Sequence, residues 1–300
     1  MTLTANVTAG TLPLTYTWKK GSTTIATHTN VNSLSDTYTI NSLVSGDAGT
    51  YTVQVSNSCG TGIASDNSTS VTVSLRLASI AVSFASNPIT YGGNTSATAT
   101  VTDTDTGTKI TPSGTVTFSS DSSDSFSSTT CSLVAGVLGT ATCSVTVTPT
   151  HASIHNISAG WPGDSSHSAP SNGSSPLTVN PKTVTASVTA TNKTYDGNNS
   201  ATINSCALSG VINSDVVTCS AAGPNTFDNK NVGTGKTVTA TNISLGGANS
   251  GNYTLSSTSA ATTANITALH ITGSFTASNK VYDGNNSATV LTRSLSGAIG

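Results

Sequence analysis

Polar and apolar residues alternate along most of the chain, in short segments separated by Gly, Asn and Ser. In residues 1–75 the alternation covers LTANVTA, LTYTWKK, DTYTINSL, GTYTVQVSN and TSVTVSL. Residues 78–180 carry a second series, which includes TSATATVTD, SGTVTFSS and TATCSVTVTP. A period of two is typical of strands with one buried face, and short strands at regular spacing indicate a β-sandwich. We therefore predict an all-β chain with several sandwich units.

A near-verbatim repeat occurs in the last third of the chain. NKTYDGNNSAT occupies residues 192–202 and NKVYDGNNSAT occupies residues 279–289, with ten of eleven positions identical at a spacing of 87 residues. LSG at residues 208–210 recurs at the same spacing. A catalytic loop needs to be made only once, so this repetition predicts a module copied in tandem.

These patterns divide the chain into four predicted domains. They cover residues 1–75, 78–180, 181–268 and 270–300, and the last one is the beginning of a second copy of the third. Met1 falls within a strand pattern and the last copy is about one third complete by comparison with the 87-residue period. We therefore expect both ends of the chain to be the edges of a fragment. The connecting segments are short, so the neighbouring domains of the same chain are expected to be partners with restricted hinges.

The composition narrows the possible partners. Charged residues make up 7% of the chain and the net charge is -2, whereas roughly 25% is usual in soluble domains. No basic run is present, so we expect neither nucleic acid nor anionic lipid as a partner. No apolar run approaches the length of a membrane span, so no membrane insertion is expected in these residues.

Four of the five cysteines form two closely spaced pairs, Cys131 with Cys143 and Cys206 with Cys219. A turn signal lies between the members of each pair, and a hairpin would bring them within disulfide reach. Neither spacing fits a zinc knuckle. We predict two structural disulfides and an oxidising compartment, with four unconnected buried thiols as the alternative. Cys59 is left over and is either free or paired with a cysteine upstream of Met1.

The acidic residues argue against catalysis. All twelve are Asp and the chain contains no Glu, which excludes HExxH metalloprotease chemistry and glycoside hydrolysis by paired Glu. GDSSH at residues 163–167 brings Asp, Ser and His together in sequence, but no nucleophile elbow accompanies them. We expect no catalytic residues, no cofactor and no enzymatic activity.

Calcium is the one metal that the residues leave open. TDTDTG at residues 102–107 resembles the first half of a calcium loop, with Asp103 and Asp105 as the candidate ligands. Position 12 of that loop is Gly114 instead of a bidentate Glu, so the EF-hand interpretation fails. A single ion held by Asp103 and Asp105 is one alternative, and a solvated Asx turn without metal is the other.

Residues 1–75 resemble bacterial immunoglobulin-like domains. Trp18 lies in the middle of a strand pattern, like the buried tryptophan of that family, and DAGTYTV at residues 47–53 resembles its D-x-G-x-Y-x-C tyrosine corner. Val53 stands where the family has a cysteine, so the usual disulfide between the sheets is absent. The resemblance implies that Trp18, Tyr51 and Asp47 are structural core and corner residues.

The later parts of the chain resemble two further repeat families. Trp161, Gly163 and Asp164 match the Y-x-G-D loop of bacterial Ig-like repeats from large surface proteins. TYDGNNSAT, FDNKNVGTGKTVT and ISLGGANSGNYTL, in this order within residues 181–268, resemble the YDG repeat of bacterial secreted and surface proteins. We expect the repeated TYDGNNSAT segment to be turn-forming scaffold instead of a binding site.

Together these resemblances imply an elongated array of tandem immunoglobulin-like β-sandwiches, extracellular or on a bacterial cell surface. We expect a non-catalytic stalk or spacer of a large adhesin-like protein that presents a distal functional domain. One alternative is a carbohydrate- or receptor-binding adhesion module, which would take a host or surface glycan as its partner. The other is the accessory stalk of an extracellular hydrolase.

Overall fold

The computed structural model describes residues 1–41, 43–59, 67–212 and 214–299. In these residues the regular structure consists of β-strands and two short 3-10 helices, Ser45–Asp47 and Ser250–Asn252. The prediction of an all-β chain with several sheets is confirmed. No helix in the described part has the length and hydrophobicity of a membrane-spanning segment. Sheet membership groups the strands into three units and a terminal hairpin.

The first unit contains two sheets that share a core. Its strands are β1 (Thr2–Asn6), β2 (Leu14–Lys20), β3 (Thr23–Val31), β4 (Ser35–Thr39), β5 (Gly49–Asn57) and β6 (Asn67–Val71). β1 pairs with β4, and the second sheet has the order β3-β2-β5-β6. Alternate residues of β2 are buried, so Leu14, Tyr16 and Trp18 form this core with Ala5 and Val55.

The second unit consists of two larger sheets. Its strands are β7 (Ala78–Phe84), β8 (Ile89–Thr90), β9 (Thr95–Asp103), β10 (Thr115–Ser120), β11 (Ser125–Phe126), β12 (Thr130–Ser132), β13 (Val134–Ala135), β14 (Thr140–Thr148), β15 (Ile154–Gly160) and β16 (Gly173–Asn180). The sheet orders are β12-β10-β15-β16-β8 and β11-β14-β9-β7, and β13 pairs with β14. Strand β9 buries every second residue, and its Val101 packs in one cluster with Phe118, Ile157 and Leu177.

The third unit has smaller sheets and two core clusters of its own. Its strands are β17 (Lys182–Ala190), β18 (Lys193–Thr194), β19 (Ile203–Ser209), β20 (Thr218–Ala221), β21 (Thr226–Phe227), β22 (Gly233–Ala240), β23 (Ile243–Gly246), β24 (Tyr253–Leu255) and β25 (Ala260–Thr267). The sheet orders are β19-β17-β24, β18-β25-β22-β21 and β20-β23. Phe227 and Ile266 belong to one cluster, and Val188 and Ile243 belong to the other.

The terminal hairpin repeats the first two long strands of the third unit. β26 (Thr272–Ala277) pairs with β27 (Val290–Ser296), and Thr272 faces Ser296 just as Thr185 faces Ser209 one period earlier. Both pairings contain a register shift near their ends. The two strand pairs therefore have the same register one period apart.

The two disulfides connect strands of different sheets. Cys131 on β12 and Cys143 on β14 have a Cα separation of 5.8 Å, and Cys206 on β19 and Cys219 on β20 have one of 5.7 Å. β12 pairs with β10, and β20 pairs with β23, so neither bond crosses a hairpin as the spacing suggested. That hairpin expectation is wrong, because the chain changes sheets between the two cysteines. Cys59 is exposed and unpaired within the described residues.

Candidate functional site

The residues expected at the core and corner of the first unit make defined contacts. Trp18 is 3% exposed, and its Nε1 donates a hydrogen bond to Asp36 Oδ2 at 2.8 Å. Tyr51 donates its hydroxyl proton to the backbone oxygen of Asp47 at 2.8 Å, and Asp47 Oδ2 accepts the Val44 amide. All three residues hold the fold of this unit together, and Asp36 is the partner that the sequence analysis did not identify.

A groove of about 850 Å³ lies between the two sheets of the first unit. Its lining includes β1, the segment that follows β1, and parts of β5 and β6. Threonine and serine side chains contribute much of this lining, among them Thr4, Thr52, Ser68 and Thr69. The volume is in the range of small-molecule sites.

The calcium candidates Asp103 and Asp105 are occupied by donors from the protein. Arg76 binds Asp103 through Nε at 2.7 Å and through its second guanidinium nitrogen at 3.1 Å. Asp103 also accepts the amides of Asp105 and Ile110, and Asp105 accepts the amide of Leu77 at 2.8 Å. The hydrogen bond from Arg76 holds the pKa of Asp103 well below its usual range. Asp103 therefore serves as the counter-ion of Arg76.

A second carboxylate, Asp164, extends this cluster. Its Oδ1 lies 2.9 Å from His167 Nδ1 and its Oδ2 accepts the amide of Ser113. Burial acts to raise the pKa of Asp164, but hydrogen bonds from His167 and from backbone amides outweigh it and lower that pKa. The other nitrogen of His167 is buried without a hydrogen bond and lies 3.7 Å from Asp103 Oδ2. Trp161 is buried beside this loop and donates to the backbone oxygen of Ser113.

This cluster fastens the connecting segment to the second unit. Arg76 forms a parallel β-bridge with His167, and its amide donates to Ser166 O at 2.9 Å. The amide of Ser168 donates in turn to Arg76 O. Among the described residues no group of three or more His, Cys, Asp or Glu side chains could hold a metal ion. The cluster can anchor the connector that contains Arg76. The carboxylates of Asp103 and Asp164 already accept hydrogen bonds from donors within the protein.

A hydrogen-bonded group of two tyrosines and one aspartate joins the second and third units. Tyr91 of the second unit donates to Asp215 Oδ2 of the third unit at 3.0 Å. Tyr253 donates to the same oxygen, and the two rings meet edge to face with centroids 5.6 Å apart. Burial, followed by the hydrogen bond to Asp215, raises the pKa of Tyr253 to about 12. A further bond runs from the Ala152 amide to Asn252 Oδ1 at 2.9 Å.

The repeated TYDGNNSAT segment forms a compact polar turn. Lys193 Nζ lies 2.7 Å from Asp196 Oδ1 and donates to the backbone oxygen of Asn198 at 2.9 Å. The amide and the hydroxyl of Ser200 both donate to Asn198 Oδ1. Lysine, aspartate and asparagine thus close the turn with their own side chains, and Gly197 supplies its left-handed conformation with φ of 84°.

Several of these residues were missed by the sequence analysis. Arg76 lies between two predicted domains and was given no role, and the same holds for Tyr91, Asp215 and Lys193 within their domains. One signal could have identified Tyr91: TYGGNTSAT at residues 90–98 shares seven of nine positions with TYDGNNSAT at residues 194–202. The segment therefore also occurs in the second unit, at a spacing other than 87 residues.

Comparison with known families supports one of the resemblances. Residues 180–263 match the family model of the YDG domain. This range covers most of the third unit and less than one third of the chain, so the third unit is a YDG-type repeat. No curated protein matches the chain significantly.

Proposed function

We propose that this chain is a non-catalytic stalk within a large bacterial surface or secreted adhesin-like protein. Tandem immunoglobulin-like β-sandwiches, with domains at residues 1–75, 78–180, 181–268 and 270–300, extend and present a distal functional domain. The observation that carries the proposal is that every unit contains a buried cluster, that the cluster of the second unit continues through Val184 and Tyr253 into the third, and that the connectors are short.

The connectors support a stalk with restricted hinges. Only Pro181 separates the last strand of the second unit from the first strand of the third. Arg76, in the connector before the second unit, is held to that unit by backbone and side-chain bonds. A connector of this kind leaves little freedom for bending, because its φ angles and hydrogen bonds are already fixed.

The surface area supports an elongated array. The chain exposes 16913 Å², whereas a compact monomer of 29.8 kDa would expose roughly 11,600 Å² by the usual size scaling. Such an excess of accessible surface area is expected when several small units are arranged in a row and each exposes most of its surface to solvent. An elongated arrangement of this kind suits a spacer.

The immunoglobulin-like assignment is supported by the first unit. Tyr51 bonds to the backbone four residues upstream, as in a tyrosine corner, and Trp18 is buried on a central strand. The two disulfides are consistent with a non-reducing compartment such as the extracellular space. The YDG match of residues 180–263 supports the repeat character of the third unit.

The absence of catalysis remains part of the proposal and is supported by how the candidate side chains are used. Asp103 and Asp164 bind Arg76 and His167, and their oxygens accept backbone amides. A general base or a metal ligand needs a free lone pair that faces a substrate. The rival function, glycan binding, is favoured by the hydroxyl-lined groove of the first unit.

Small-angle X-ray scattering of the oxidised chain tests the stalk. We expect a radius of gyration well above the roughly 19 Å of a compact 300-residue globule, and a pair-distance distribution with a long tail. A compact globular envelope would contradict the proposal.

A glycan array separates the stalk from the adhesion module. We expect no micromolar binding. A reproducible glycan signal that disappears in Ser68→Arg, which obstructs the groove, and persists in Ser132→Arg on the second unit would establish the rival function instead.

A further inference from the structure

The repeated turn lies at the end of the unit where the chain leaves it. In the second unit the segment follows β8, which pairs in parallel with β16, the last strand of that unit. In the third unit it follows β18, which pairs in parallel with the last strand β25. The tyrosine amide donates to the final residue of the last strand in both cases, Tyr91 to Asn180 at 2.8 Å and Tyr195 to Thr267 at 2.9 Å. Each copy therefore faces the unit that comes next.

A second short motif repeats on the side that faces backwards. LSGVI at residues 208–212 ends β19 in the third unit, and LSGAI at residues 295–299 ends β27 one period later. The repeat thus extends past LSG to an isoleucine at the same position, Ile212 and Ile299. Both isoleucines follow the strand that pairs with the first strand of their unit.

The two motifs meet at the junctions that follow the second and third units. A Cβ placed on Gly92 of the second unit would lie 2.5 Å from Ile212 Cδ1, and a Cβ placed on Gly197 of the third unit would lie 3.3 Å from Ile299 Cγ2. The two glycines have the same φ of 84°, in the left-handed region. Gly92 directly follows its tyrosine and Gly197 is one residue further on, yet each is the glycine that contacts the isoleucine. The two isoleucines are one repeat length apart, and each contacts a glycine in the turn of the preceding unit, so the isoleucine side of this contact belongs to the repeated module.

We propose that the TYGGNTSAT and TYDGNNSAT segments are docking surfaces for the following unit of the same chain. Their partner is the isoleucine of the LSGxI motif, which packs on the bare backbone of the glycine. This inference rests on the proposed function, since it assigns to the repeated turn the task of fixing the angle between successive stalk units. It gives the segment a task in the second and third units, each of which is followed by another part of the chain that contacts it.

The two joints differ in what surrounds this shared contact. The joint between the second and third units adds the bonds of Tyr91 and Tyr253 to Asp215. At the next joint Tyr195 packs against the core of its own unit, and Asp196 is paired with Lys193. The shared element is therefore the isoleucine on the glycine, and the tyrosine group reinforces only the earlier joint.

Distance measurements between nitroxide labels test the joints in the full chain. In a Cys59→Ser background, labels at Ser123→Cys and Lys230→Cys report the joint between the second and third units. Labels at Lys230→Cys and Val281→Cys report the next joint. We expect Ile212→Ser to broaden the first distance distribution and leave the second unchanged. The matched control is Ile299→Ser, one period later. It should broaden the second distance distribution and leave the first unchanged.

The outcomes separate this inference from the stalk itself. If the distance distributions keep their widths in both variants, and peptide mapping shows both disulfides intact, the proposed contact between isoleucine and glycine is refuted. Broadening of both distances by either single variant would also overturn it, because the contact would not be local to one junction. If Ile212→Ser does not fold, Ile212→Ala removes less apolar surface and carries the same expectation. A compact scattering envelope of the unmodified chain would refute the stalk separately, whatever the variants do.

Discussion

The two copies of the repeated module share the turn sequence YDGNNSAT and have very different surroundings. In the third unit Val184 is 1% exposed because it packs in the cluster shared with the second unit, and Val188 is 7% exposed because it packs in a cluster of its own unit. The corresponding residues of the terminal hairpin, Ile271 and Phe275, are 46% and 70% exposed. Strand pairing is the same in both. The hairpin can therefore pair its strands without the contacts that bury its apolar face.

The polar turn forms equally well in both copies. Lys280 Nζ lies 2.6 Å from Asp283 Oδ1 and donates to the backbone oxygen of Asn285 at 3.0 Å, which repeats the Lys193 contacts almost atom for atom. The hydrogen-bond partners of each lysine are only three and five residues further along the chain, so the turn needs no distant residues. The comparison teaches that the motif is a local structure and that core packing is a separate, long-range contribution.

Truncating one phenylalanine in each copy should give the largest contrast. Phe227 is 1% exposed in the core of the third unit, so Phe227→Ala should cost about 3–5 kcal/mol of unfolding free energy for that unit. Phe275→Ala on the exposed hairpin face should change stability by about 0.5 kcal/mol or less. Amide hydrogen exchange of β22 and β25 measures the first variant, and that of β26 and β27 measures the second. Equal losses for the two variants would show that the hairpin face is covered after all.

Removing the disulfide of the third unit should have the next largest effect. The double substitution Cys206→Ser and Cys219→Ser opens a loop with a sequence separation of 13, which costs about 3 kcal/mol in the chain-entropy description. The hairpin has Arg293 at the position of Cys206, so its exchange rates should not change. Peptide mapping of the unreduced protein must first recover both disulfides, and four free thiols would contradict their assignment.

Alkaline pH should loosen the joint that contains Tyr253 and spare the next one. The pKa of Tyr253 is raised to about 12, so the protonated hydroxyl is the form that the fold stabilises. Its contribution is complete below pH of about 10 and is lost as the pH rises through about 12. The distance distribution between the second and third units should broaden in this window, and Tyr253→Phe should reduce the pH dependence. A broadening of equal size at both joints would contradict this assignment.

The smallest effects concern the two turns. Lys193 lowers the pKa of Asp196, and Lys280 lowers the pKa of Asp283. Lys193→Met should return the pKa of Asp196 towards its usual value and leave that of Asp283 unaltered, and Lys280→Met should do the opposite. Carboxyl titration by NMR measures both. As the pH falls through the lowered pKa values of Asp196 and Asp283, each aspartate is protonated and its ion pair with lysine is lost. The backbone amides of both turns should therefore exchange their hydrogens faster at acid pH.

Local patterns were the reliable part of the sequence analysis. TSATATVTD coincides with strand β9, because alternation reports burial on one face directly. The disulfides were paired from spacing, yet their hairpin placement was wrong, since spacing does not reveal when a chain crosses to another sheet. Arg76 and Asp103 are 27 residues apart, and no periodicity connects them. Contacts such as Tyr91 with Asp215, 124 residues apart, exist only once two units are placed side by side.

The two disulfides also set how far the second and third units can lengthen under tension. A force applied along the chain cannot extend residues that a crosslink bypasses, and the bypassed segments span sequence separations of 12 and 13. At about 3.5 Å per extended residue, each bond withholds roughly 35 to 40 Å of contour length when its unit unravels. An oxidised unit therefore extends in shorter steps than a reduced one when the chain is pulled.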